Sequence, residues 1–93
     1  MPRHTVYVVA RGEDAVAAPF DIVTRILARE PAVVVAGEPR WKGRALTMEV
    51  VADARDRGSA RGIVEGAVAR HGADVYRRFA FSIVPLDSTP SLR

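Results

Sequence analysis

Between Ala32 and Ala54 the chain reverses direction, and the pattern of that reversal limits the folds open to it. Ala32 to Gly37 is valine-rich and almost wholly apolar, a run suited to a strand. Ala45 to Ala54 alternates, with Leu46, Met48, Val50 and Ala52 on one side and Ala45, Thr47, Glu49, Val51 and Asp53 on the other. Such a period of two describes a strand with one buried and one partly open face. The stretch Glu38-Pro39-Arg40-Trp41-Lys42-Gly43-Arg44 reads as the basic loop that joins them in a β-hairpin.

An apolar helical segment lies on each side of this hairpin. Pro19 suits the first turn of a helix that runs to about Arg29, with Phe20, Val23, Ile26 and Leu27 on one face and Glu30-Pro31 as its stop. Ser59 is a good N-cap for a second helix to about His71, whose apolar stripe is Ala60, Ile63, Val64, Ala67 and Val68 and whose stop is Gly72. Beyond each helix lies one more strand, Thr5–Arg11 and about Tyr76–Leu86. The order β-α-β-β-α-β predicts an α+β fold of the split βαβ, ferredoxin-like kind. In it a four-stranded antiparallel sheet carries two helices on one face, with the first and third strands central. Residues 1–86 are expected to form one domain and 87–93 a loose tail.

The chain of 93 residues has room for a single modest core. It has no cysteine, which excludes disulfides and thiolate metal sites and fits the cytoplasm. No apolar run has the length of a membrane span or the character of a signal peptide. The 13 arginines and one lysine are scattered among 11 acids, for a net charge of +3. That pattern gives no concentrated basic face for nucleic acid. His4 and His71 stand far apart in sequence with no carboxylate cluster, and the serines have no nucleophile-elbow context, so no metal, cofactor or catalytic residue is assigned.

Three surfaces are candidates for binding. The alternation leaves an open sheet face with Tyr7 and Val9 from the first strand, Thr47, Glu49 and Val51 from the third, and Ser82 from the last. It is too apolar for a solvated surface and too polar for a core, the character of a contact with a second copy or a ligand. On this reading an acid is tolerated at Thr47 but not at Met48. The hairpin tip gathers Arg40, Trp41, Lys42 and Arg44, a lone tryptophan among cations that could anchor a partner or lie over a sheet edge. Arg55, Arg57, Ser59 and Arg61 surround the start of the second helix, where free N–H groups attract anions. An ordinary helix cap has the same appearance.

A short resemblance to RNA-recognition domains covers Val6-Tyr7-Val8 and Lys42-Gly43, and then the pattern breaks. Positions where stacking aromatics belong carry Arg44, Leu46 and Glu49. The expected function is therefore a small non-catalytic interaction module that self-associates, as a dimer, through its open sheet face, with room for a small ligand or a protein partner. Two other readings stand behind it. One is a dimeric α+β barrel enzyme acting on a small apolar metabolite, with Tyr7, Glu49 and Trp41 at the pocket wall. The other is an RNA-binding module.

Overall fold

The computed structural model describes residues 2–10, 20–42 and 45–83. In chain order these form β1 (Arg3–Ala10), α1 (Phe20–Ala28), β2 (Val33–Val35), β3 (Arg40–Lys42), β4 (Ala45–Asp53), α2 (Arg57–His71), α3 (Ala73–Tyr76) and β5 (Phe79–Ser82). The result is a small α+β protein whose described residues form an open antiparallel sheet of five strands and three helices. The strand order is β2-β4-β1-β5, with β3 also paired to β4.

The two long strands form the centre. β1 and β4 pair from Arg3 opposite Asp53 to Val9 opposite Thr47. This register sets the apolar sides of both strands together: Val6, Val8, Met48, Val50 and Ala52 are all fully buried. α2 packs across β1 and β4, and α1 lies on α2 and β2. The helices fill the space above this face with Phe20, Val23 and Leu27 from α1 and Ala60, Val64 and Val68 from α2. Phe79 of β5 meets Phe20 edge to face, with ring centroids 4.9 Å apart. Period-two and helical alternation thus converge on one core.

Several elements differ from the sequence expectation. The loop expected over residues 38–44 contains a strand, because Arg40, Trp41 and Lys42 pair with Thr47, Leu46 and Ala45. The sheet therefore has five strands rather than four. The second strand is limited to Val33–Val35, and the last begins at Phe79, because residues 73–76 fold as the short α3. Tyr76 belongs to this turn; its hydroxyl donates to Glu65 Oε2 at 2.9 Å and its ring stacks on Phe81 at 5.9 Å. The tail 87–93, with residues 84–86, lies outside the described residues.

The helix ends are tied locally. α1 closes with tightened bonds from Arg29 N–H to the Ile26 carbonyl and from Glu30 N–H to the Leu27 carbonyl, ahead of Pro31. Arg70 of α2 then reaches Glu30 at 3.3 Å, joining the two helices at the surface. Asp56, not Ser59, is the N-cap of α2: its Oδ1 accepts from the Ser59 N–H at 2.7 Å. Gly72 does stop α2, but in extended backbone that any residue adopts. A Cβ at Gly62, exposed in the middle of α2, would meet nothing within 4 Å, so no neighbouring chain segment requires glycine there. No helix among the described residues is long and apolar enough to cross a membrane.

Candidate functional site

The edge of the sheet beside β4 is built from two short strands with a break between them. β2 ends with Val35 opposite Val50, and β3 begins with Arg40 opposite Thr47. Across that interval the edge advances five residues while β4 advances three, so the edge carries a bulge of two extra residues. The Ala36 N–H still donates to the Glu49 carbonyl at 3.0 Å. Gly37, Glu38 and Pro39 then swing out and return at Arg40. Gly and Pro are the residues that a bulged edge accommodates most readily.

Residues opposite one another in an antiparallel ladder share a face. On the face away from the helices, the ladder sets out four rows. Arg3 and Asp53 form an outer rim, with Nε and Oδ1 3.4 Å apart. Thr5, Val51 and Val34 form the next row. Tyr7 follows, with Glu49 on one side and Ser82 on the other. The last row is Val9, flanked by Thr47 and Ala80, with Arg40 beyond Thr47.

These rows are not equally open. Val34 is 58% exposed, while Thr5, Tyr7, Glu49, Val51 and Ser82 are half-buried. Val9 and Thr47, expected on an open surface, are buried at 3% and 2% exposure. Thr47 sits in the middle of the sheet, between Val9 of β1 and Arg40 of β3, which the alternation of its own strand does not reveal. Its hydroxyl is buried without a hydrogen-bond partner among the described residues. A cavity of about 110 Å³ lies on this face beneath the bulge, walled by Ala36, Gly37, Glu38, Arg40, Thr47 and Glu49.

The hairpin tip divides between the two faces. Arg40 shares the open face with Thr47, whereas Trp41 pairs with Leu46 on the helix side and is 56% exposed. A wider cleft of about 650 Å³ separates α1, at Asp21, Thr24 and Arg25, from the other side of the bulge and Leu46. Trp41 is thus not brought together with Tyr7 and Glu49, as the enzyme reading required. Lys42 pairs with Ala45, and Arg44 lies outside the described residues.

At the start of α2, the protein's own carboxylate takes the place considered for an anion. Asp56 accepts from the Ser59 backbone, and Arg55 Nε lies 3.8 Å from Asp56 Oδ2. Arg61 turns to Glu65 one turn along the helix, at 3.8 Å, and Arg57 is exposed as the first helical residue. Among the described residues, no group of three or more His, Asp or Glu side chains is placed to hold a metal ion.

The hydrogen bonds from the Ser59 backbone and side chain hold the Asp56 carboxyl below its usual range, and Arg55 and His4 reinforce this electrostatically. A carboxylate with a lowered folded-state pKa stabilises the fold above its unfolded pKa. That stabilisation is lost as the pH falls through the folded value, below about pH 4. Asp56→Asn preserves a capping oxygen without the charge. Melting temperatures measured from neutral pH downwards should therefore fall more steeply for the wild type than for Asp56→Asn. Parallel profiles would show that the ionised cap contributes nothing.

The bulge and the orphaned Thr47 hydroxyl were not anticipated from the sequence, although Gly37 and Pro39 directly after a valine run were the available signal. Comparison with protein-family models, with curated proteins and with solved structures found no match for this chain.

Proposed function

We propose that the chain is a small non-catalytic interaction module of ferredoxin-like type that self-associates, as a dimer, through its open sheet face. The observation that carries this reading is the row Thr5, Val51 and Val34, with Val34 at 58% exposure and no helix packed over it among the described residues. Burying such a side chain against a second copy contributes about 1.5–3 kcal/mol when complete. The Arg3–Asp53 pair at one end gives the patch a polar rim, as interfaces have. With β3 set aside, β1 and β4 are the inner strands, the placement a split βαβ arrangement requires. The compartment we propose is the cytoplasm, on the cysteine-free composition.

The other two readings draw less support. The catalytic pocket loses its Trp41 wall to the opposite face. An RNA platform would have Tyr7 as its described aromatic ring, because Phe79 and Phe81 pack with the core, and Glu49 would repel phosphate beside it.

Sedimentation equilibrium at micromolar concentration should give twice the chain mass. Val34→Asp should shift the protein towards monomer while its circular dichroism stays native. A wild type with the mass of one chain throughout that range would remove the basis of this reading.

A further inference from the structure

We propose that the hollow where α1 and α2 end side by side binds a small carboxylate with a short apolar chain. The hollow holds about 190 Å³ and is lined by Ile22, Arg25, Ile26, Arg29 and His71. The first four follow the spacing of a single helix face, and His71 is the last residue of α2. Both isoleucines are half-buried, whereas both arginines are exposed. An apolar floor thus carries guanidinium groups at its rim, as long cationic side chains arrange themselves over apolar surface.

The charge of that rim is not answered from within the protein. Glu30, the carboxylate next to Arg29, is taken by Arg70 of α2 at 3.3 Å. Among the described residues, neither Arg25 nor Arg29 has an ion-pair or hydrogen-bond partner, and Asp21, one turn before Arg25, does not reach it. Cations near a helix C-terminus do offset the helix dipole, and each such end carries about half a negative charge. Two helices end here, so their dipoles balance about one of the two guanidinium charges. The remaining charge of about +1 matches a monoanion, whereas a phosphate monoester brings about two negative charges. A guanidinium fork holds a carboxylate by paired N–H bonds, and the imidazole of His71 adds a further donor to the lining.

The floor specifies the rest of the ligand. Ile22 and Ile26 offer an alkyl chain apolar surface to cover, which an inorganic anion would leave wet. A cavity of roughly 150 Å³ admits a benzene-sized molecule, so this hollow has room for the carboxylate and a chain of about three or four carbons. The site lies on the helix side of the sheet, opposite the face proposed for self-association, and stands without that reading. A ligand so small, in a hollow open to water, binds with a dissociation constant on the order of millimolar.

The test is a titration of the full chain with butyrate at constant ionic strength, followed by amide NMR shifts. Acetate, butanamide and inorganic phosphate are the comparison ligands. Butyrate should shift the amides of Ile22, Ile26, Arg29 and His71. It should bind about fourfold tighter than acetate, the effect of two methylenes at half burial. Arg25→Gln combined with Arg29→Gln, both exposed, should weaken butyrate about tenfold with circular dichroism unchanged. Ile22→Ala should remove most of the advantage of butyrate over acetate. Val34→Asp should bind butyrate as the wild type does, which separates this site from the self-association reading. The proposal is overturned if butyrate gives no shifts at tens of millimolar, or if acetate, butanamide or phosphate binds as tightly. It is also overturned if the double arginine variant binds butyrate as the wild type does, or if folded Val34→Asp does not bind it.

Discussion

Met48→Asp should abolish folding. Met48 is fully buried in β4, opposite Val8 of β1, and its sulfur accepts a long contact of 3.5 Å from the Thr24 hydroxyl of α1. Removing a buried methionine side chain costs about 2–5 kcal/mol before any charge is considered. A carboxylate in its place must be either desolvated or protonated, at a further cost of several kcal/mol. A domain of this length has a total stability of about 5–14 kcal/mol. The two losses together consume most or all of it. Circular dichroism and amide dispersion should report an unfolded chain, whereas Val34→Asp, on the same sheet but 58% exposed, should report a native one. A cooperative native melt for Met48→Asp would mean that the two faces of β4 have been exchanged.

The second large effect belongs to Phe79. It is 2% exposed at the start of β5, and it meets Phe20, the first residue of α1, at an interplanar angle of 71°. This contact joins an edge strand to the beginning of a helix that is otherwise anchored at its far end, through Leu27 and the Glu30–Arg70 bridge. Phe79→Ala should cost about 3–5 kcal/mol in denaturant unfolding, by lost burial and the cavity it leaves. A double-mutant cycle with Phe20→Leu and Phe79→Leu should return a coupling of about 0.5–1.5 kcal/mol, the excess of an aromatic pair over its area. Additive single losses would show that the rings merely occupy neighbouring space.

These two predictions concern parts of the fold that were legible in the chain. β1, β4, α1 and α2 each carry their own periodicity, and the side each buries follows from it: Val6, Val8, Met48 and Val50 inward, Phe20, Val23 and Leu27 down onto them. What was not legible depends on residues distant in sequence. β3 exists because Arg40 to Lys42 find the start of β4, and three residues with an unremarkable pattern do not announce a strand. Thr47 has the polarity of an open-face residue, yet it is 2% exposed, and the alternation of its own strand does not report that burial. An acid at Thr47, acceptable from alternation alone, is therefore expected to destabilise the fold. The α2 cap was misplaced for a different reason. Asp56 and Ser59 are comparable capping residues three positions apart, and only the direction of the hydrogen bond separates them.

The bulge also bears on how much of this edge could pair with another chain. Val34 is paired with Val51, so the peptide groups of Val33 and Val35 point away from the sheet. The Val33 N–H is already taken by the Glu30 carbonyl at 3.1 Å. Two residues after Val35 the bulge begins at Gly37, and Pro39 has no N–H to offer. A valine-rich edge, the kind that recruits strands from other molecules without end, is thereby cut to a single outward N–H, that of Val35. The same detour that roofs the cavity shortens the margin on which a foreign strand could pair, so a chain that lost the two extra residues would trade a pocket for an unbroken, adhesive margin.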